Sequence, residues 1–253
     1  MPSMPRSLSP EMFLDERLRF PDPHTAATDG LVAVGGDFSP ERLLLAYRSG
    51  IFPWPMKGYP LLWFSPDPRF VLLPTHAHVP RSLRKRMKKC PYEIRADTAF
   101  DQVIRACGQV ERPGQRGTWV TADLVRGYES LFVHGIAHSI EAWHEGELVG
   151  GLYGVSLGAV FFGESMFAIA PDASKVAFAT LLGNLLPWGF AMVDCQVYTD
   201  HLARFGAEEW PRELFLQELE RCLSVPTKRG PWTLDLGPAQ AVELLKAASA
   251  EEG

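Results

Sequence analysis

Apolar residues recur every three to four positions in some stretches of this chain and every second position in others. The switches between those periods mark its elements. Phe100, Val103, Ile104 and Cys107 fall at i, i+3, i+4 and i+7, which predicts an amphipathic helix. A second helix is expected from a Thr121 cap through Leu124, Tyr128, Leu131 and Phe132 to Gly135. Three strand-like runs follow at 138–144, 147–155 and 159–167, with turns at Glu145-Gly146 and Ser156-Leu157-Gly158. A helix over 174–186 ends at Pro187, a strand occupies 193–197, and a last helix spans 212–223. Helices, then an antiparallel meander, then helix and strand predict an α/β (α+β) domain with a mixed sheet.

Ahead of residue 76 the regular periods give way to Pro and aromatic clusters: Phe20-Pro21-Asp22-Pro23, Phe52-Pro53-Trp54-Pro55 and Trp63-Phe64-Ser65-Pro66-Asp67-Pro68. Proline fixes φ and removes a backbone donor, so these are turns and short extended pieces. One short helix is expected, with Ser39 as cap, Pro40 at its first position, Leu43, Leu44 and Tyr47 on its apolar side and Gly50 as its stop. Residues 1–75 therefore form a small N-terminal domain and 76–253 a second one. The first 19 residues and the tail from 224 receive no assignment.

The formal net charge of −5 argues against a surface built to coat a duplex, but the distribution is uneven. Arg81, Arg84, Lys85, Arg86, Lys88 and Lys89 crowd into one short segment, which suits a local contact with a polyanion or simply a solvated helix face. Cys90, Cys107, Cys195 and Cys222 are too far apart for a zinc knuckle or a disulfide framework. No stretch approaches 18 apolar residues and no leader-like segment opens the chain, so a soluble cytoplasmic protein is expected.

Chemistry concentrates at two places. Along 193–197 alternation points Val193, Cys195 and Val197 to one face and sets Asp194 and Gln196 side by side on the other, where acid and amide together can hold an amine. The competing reading is the polar face of an edge strand. Glu164 stands alone in an apolar run, on the face of Phe162 and Met166 by alternation, and a buried carboxylate needs a partner. That partner is either a reacting amine or a structural cation, Lys175 or Arg204. Gly154-Val155-Ser156-Leu157-Gly158 matches a nucleophile elbow, but a strand follows it where a helix is required. His134 and His138 straddle Gly135 without a metalloprotease motif, and His76 and His78 sit between prolines facing solvent. No acyl-CoA or nucleotide loop is present, so no cofactor and no metal are expected.

Read together, seven ordered motifs closely resemble the bacterial leucyl/phenylalanyl-tRNA–protein transferases. They are Gly30-Leu31-Val32-Ala33-Val34-Gly35-Gly36-Asp37, Gly50-Ile51-Phe52-Pro53-Trp54, Ser65-Pro66-Asp67-Pro68-Arg69, Gly117-Thr118-Trp119-Val120-Thr121, Ala137-His138-Ser139-Ile140-Glu141, Gly163-Glu164-Ser165-Met166-Phe167 and Asp194-Cys195-Gln196. The resemblance implies a GNAT-like acyltransferase domain and transfer of Leu or Phe, with Met tolerated, from aminoacyl-tRNA to a protein whose first residue is Arg or Lys. That transfer marks the acceptor for N-degron degradation. The resemblance makes Asp194 and Gln196 the catalytic pair, with Glu164 positioning the amines. It also implies a side-chain pocket of Leu152, Phe161, Leu181 and Val193, with Tyr128 and Met166 nearby. Trp54 and Trp119 would stack on the terminal adenosine, and Arg81, Arg84, Lys85, Arg86, Lys88 and Lys89 would follow the acceptor stem. Leu152, Trp63-Phe64 and Arg204-Phe205 depart slightly from the family pattern.

In the mechanism expected on this basis, Asp194 acts through Gln196 on the attacking amine and attracts the acceptor's cationic side chain. A monomer working away from any membrane is expected. The rival readings are a transferase that loads a peptidoglycan precursor, a CoA-dependent acetyltransferase, a non-catalytic tRNA-binding module and a Ser156 hydrolase.

Overall fold

The computed structural model describes residues 9–56, 58–110 and 120–251. The chain opens with strands β1 (Phe13–Leu14) and β2 (Leu31–Gly35), helix α1 (Pro40–Arg48), and strands β3 (Phe52–Pro53) and β4 (Leu62–Phe64). These strands form a small sheet in the order β1-β2-β4-β3. Next come β5 (Arg69–Leu72), α2 (Arg81–Lys88), β6 (Glu93–Ala96), α3 (Phe100–Gln109) and α4 (Ala122–Val133). The meander β7 (Ala137–His144), β8 (Glu147–Leu157) and β9 (Val160–Ala168) leads into α5 (Ala173–Leu185). β10 (Met192–Gln196), α6 (Asp200–Ala203), β11 (Glu208–Trp210), α7 (Arg212–Leu223) and α8 (Pro238–Glu251) follow. The larger sheet runs β11-β5-β10-β9-β8-β7-β6 and is mixed, because β9 and β10 pair in parallel while β5 and β10 pair antiparallel.

Three layers result. One face of the large sheet carries α3, α4, α7, α1 and the small sheet around a core that includes Tyr47, Phe100, Tyr128, Phe162 and Phe215. The other face carries α5, α2 and α8 around Leu152, Phe161, Phe178, Leu181 and Val193. The expected helices and strands are present within one or two residues. Ser156 lies in β8 and the turn falls at Gly158 and Ala159. Thr121 caps α4 by accepting the Leu124 N–H, whereas Ser39 occupies the cap position of α1 without a side-chain cap bond.

The passage between sheets occurs at residues 65–68, ahead of the 75/76 boundary read from composition. The prolines of Ser65-Pro66-Asp67-Pro68 turn the chain, and β5, although as apolar as the strands before it, pairs with β10 and β11. The tail is also built into the molecule. Trp232, Ala241, Val242 and Leu245 are buried, and the Asn184 amide of α5 binds the backbone of Asp235 and Leu236. α5 has hardly a polar side, so it needs cover opposite the sheet, and α8 supplies it.

Candidate active site

A cavity of about 450 Å³ opens where β9 and β10 run side by side. Its apolar wall is made by Leu152, Met166, Phe178, Val193, Val197 and Leu202, and Trp54 closes one side. Glu164 and Gln196 supply polar groups, and Glu164 is the one carboxylate among its described lining residues.

Two irregularities in the sheet aim these groups. On β9, Gly154 pairs with Gly163 and Tyr153 with Ser165, which leaves Glu164 as the extra residue of a bulge. The bulge breaks the alternation expected from the sequence. Glu164 shares the face of Phe162 and reaches Tyr47 and Tyr128, while Met166 falls on the opposite face among the residues around α5. On β10 the register slips between Asp194 and Gln196, with Cys195 as the extra residue, and Gln196 takes a left-handed φ of 64°. Its side chain donates from Nε2 to Glu164 Oε1 at 2.8 Å. Its Oε1 remains as an acceptor.

Glu164 is held from three sides. The Tyr47 hydroxyl donates to Oε1 at 2.7 Å, the Tyr128 hydroxyl donates to Oε2 at 2.9 Å, and Gln196 adds the third bond. No lysine or arginine pairs with it in the described structure: Lys175 binds Asp172 instead. Burial raises its pKa to about 7, against the pull of the two tyrosine hydrogen bonds, and the Asp194 charge adds to the rise. Burial and the neighbouring carboxylate hold both tyrosines in their protonated, donating form.

Asp194 does not line the cavity. It is fully buried on a central strand, with Oδ1 accepting Arg69 Nε at 2.8 Å and Oδ2 accepting Arg69 Nη2 at 2.6 Å. Oδ1 also accepts the Gln196 backbone N–H at 2.9 Å. With its charge met by Arg69 and no route to solvent, it cannot attract the acceptor's cationic side chain, as the sequence reading had it. It also cannot belong to an exposed edge. Its bond to the Gln196 backbone shapes the bulge.

Among the other expected residues, Leu152, Val193, Met166 and Trp54 line the cavity. Phe161 and Leu181 stand behind the wall in the core, and Tyr128 lies beneath Glu164. Trp119 is outside the described residues. The structure adds Tyr47, Arg69, Phe178, Val197, Thr199, His201 and Leu202 to the site. Arg69 was signalled by a cation followed at once by Phe70-Val71-Leu72. Tyr47 was not, since a tyrosine on the apolar side of a helix needs no further purpose.

Ser156 is buried within β8 and strand β9 follows it, so it forms no nucleophile elbow. His138 is buried too, stacked on Trp232 with Nδ1 2.8 Å from Asp97 Oδ2. Glu141 accepts the Thr98 and Ala99 N–H groups ahead of α3, a structural task. On α2, Leu83 and Met87 face inward; Arg86 pairs with Asp172 and Lys88 with Glu243. Arg81, Lys85 and Lys89 are exposed and Arg84 is half-buried.

Two families of known sequence match the chain. The one described as leucyl/phenylalanyl-tRNA protein transferase covers residues 71–220, and the one described as its N-terminal domain covers 36–67. A protein from Myxococcus xanthus (strain DK1622) is 63% identical over 214 residues, spanning 85% of this chain and 92% of its own. One from Anaeromyxobacter dehalogenans (strain 2CP-C) is 58% identical over 216 residues, 85% of this chain and 93% of its own. One from Oleidesulfovibrio alaskensis (strain ATCC BAA-1058 / DSM 17464 / G20) is 51% identical over 229 residues, 88% and 92% respectively. All three carry the name leucyl/phenylalanyl-tRNA–protein transferase.

Proposed function

The chain belongs to the leucyl/phenylalanyl-tRNA–protein transferase family, and from that premise we propose that the cavity beside Glu164 and Gln196 is where an aminoacyl group leaves tRNA for a protein. The family makes it an aminoacyltransferase. The group transferred is Leu or Phe, with Met tolerated, and the acceptor begins with Arg or Lys. The modified protein enters N-degron degradation, and the work is done in the cytoplasm by a monomer with a GNAT-like catalytic domain. The observation that carries this reading is the pairing of an apolar cavity with one titratable carboxylate on its wall, bonded to an amide that still offers an acceptor.

In this scheme the transferred side chain lies against Leu152, Met166, Phe178 and Val193, and the terminal adenosine lies toward Trp54. The acceptor's α-amine donates to Gln196 Oε1 and attacks the ester carbonyl. The bond from that carbonyl to the ribose oxygen breaks, and the amine's proton passes to Glu164 and then to the ribose oxygen. The attacking amine must be neutral, and because α-ammonium groups titrate at about 7.7–8.0 a good fraction is neutral near pH 7. Its nitrogen becomes acidic only once bonded to the carbonyl carbon, and Glu164 takes the proton then. Ester to amide runs downhill, so neither ATP nor a metal is needed, and holding the two reactants in line does most of the remaining work. Asp194 acts on Gln196 through its backbone.

Purified protein, labelled leucyl-tRNA and two peptides differing only in N-terminal Arg or Ala test the proposal. Label should move to the Arg peptide alone. Label on neither peptide, but on a peptidoglycan precursor supplied in their place, would assign the fold to a different acceptor.

A further inference from the structure

Arg69 takes no part in the scheme above, yet its guanidinium touches structures on two sides of the cavity. Nε and Nη2 grip both oxygens of Asp194 on β10, at 2.8 and 2.6 Å. Nη1 donates to the Gly50 carbonyl at 3.1 Å. Gly50 sits just ahead of Phe52–Pro53 of β3, and the next residue is Trp54 at the cavity wall. The plane of the guanidinium is covered by rings: Phe52 at 4.6 Å and Phe215 of α7 at 4.5 Å. Arg69 and Asp194 are both fully buried.

A fork bonded to a carboxylate and clamped between two rings has little freedom to move. One end of its hydrogen-bond set holds the strand that presents Gln196, and the other end holds the turn that leads to Trp54. The Gly50 turn is itself confined. Its φ is +69°, and a Cβ there would lie 3.1 Å from Phe215 Cε1, so the backbone is pressed onto α7.

We propose that Arg69 is a positioning residue that sets the separation between the Trp54 side of the cavity and the Glu164–Gln196 side, with Asp194 as its anchor. It acts through Gln196 and Trp54 and does not touch the reacting atoms. The proposal rests on the cavity being the transfer site. It predicts that loosening the fork slows transfer more than it weakens donor binding, because Leu152, Met166 and Val193 still hold the donor side chain.

The test uses the full chain, labelled leucyl-tRNA and an Arg-terminated peptide. Arg69→Lys keeps the charge but loses the fork. Its kcat should fall by at least about tenfold with KM for leucyl-tRNA within about threefold, since small misplacements at a reacting centre are costly. Rates are normalised to the folded fraction from a thermal melt, so a purely structural role would leave the normalised kcat unchanged. Where Arg69→Lys does not fold, Phe215→Leu relaxes one face of the guanidinium and should show a smaller loss confined to kcat. In a third variant, Arg69→Met with Asp194→Asn, the Asn oxygen can still accept the Gln196 N–H. Its rate should fall as well.

A normalised kcat within twofold of wild type in Arg69→Lys, or in Phe215→Leu where that variant stands in, would overturn the proposal. A normalised rate within twofold of wild type in the double variant would also overturn it. A wild-type chain that transfers nothing would instead sink the underlying reading of the cavity.

Discussion

With Glu164 ionised, the Tyr47 and Tyr128 hydroxyls bring two protons to three short oxygen–oxygen contacts, because the hydroxyls also lie 2.5 Å from each other. A proton on Glu164 supplies the missing one, so the cluster retains it unusually long. Transfer should rise with pH through an inflection near 7, as Glu164 becomes able to accept a proton. Glu164→Gln should remove that inflection, leave the one belonging to the acceptor amine, and slow the reaction by roughly 100-fold. Initial rates across pH with one Arg-terminated peptide check both points. The same shift has a cost in stability. The unfolded chain releases this proton near 4.5 while the folded one keeps it to about 7, so the Glu164 contribution to stability falls as pH rises through that window. Thermal melts of wild type and Glu164→Gln at about pH 5 and 8 should therefore converge at the acid end and favour the variant at the other. Glu164 was visible in the sequence as a lone acid in an apolar run. Its place on the face of Phe162 was readable too, but the passage of Met166 to the opposite face was not, because one inserted residue inverts the alternation beyond it. Gly163 was the available clue, since an isolated glycine in a strand often marks a bulge.

At the scale of elements, α5 shows what periodicity can and cannot deliver. Its limits were readable from Pro187 and from the apolar run, and α4 was readable from Thr121. Its outer cover was not assigned, although a helix apolar all round implies a second partner. The segment that became α8 is alanine-rich, and Ala241, Val242 and Leu245 are a faint stripe until α5 is there to receive them. The two helices meet at Gly183, where a Cβ would lie 2.5 Å from the Ala241 Cβ. Gly183→Val should thus separate α8 from α5 and lower stability by about 1–3 kcal/mol, the usual cost of overpacking. Thr121→Ala should cost about 1 kcal/mol through loss of the α4 cap alone. Denaturant midpoints of the two variants would separate these effects from any change in activity.

Across the whole molecule, the small sheet and the large one share a core, and the proposed transfer site lies where they meet. Tyr47 comes from α1 and Tyr128 from α4, while Glu164 and Gln196 come from the central strands. Tyr47 and Glu164 are 117 positions apart, so no local pattern could have joined them. The basic helix α2 was legible from charge, but the neutralising partners of Arg86 and Lys88 lie in distant segments. Binding of tRNA should accordingly depend more on Arg81, Lys85 and Lys89 than on those two. Lys85→Ala should weaken binding to every tRNA alike and reduce the salt slope by roughly 0.7–0.9 for each phosphate it no longer neutralises. Titrations at several salt concentrations measure this, and a slope unchanged from wild type would remove α2 from the interface.

The proposed function stands or falls on Glu164 and Gln196 as the place where the aminoacyl group changes hands. The deciding measurement is single-turnover transfer from labelled leucyl-tRNA to an Arg-terminated peptide, in a Glu164→Gln, Gln196→Ala double variant with tRNA affinity measured alongside. A rate lower by at least about 100-fold, with tRNA affinity retained, is the expected result. Transfer at the wild-type rate would contradict it and place the chemistry elsewhere in the molecule.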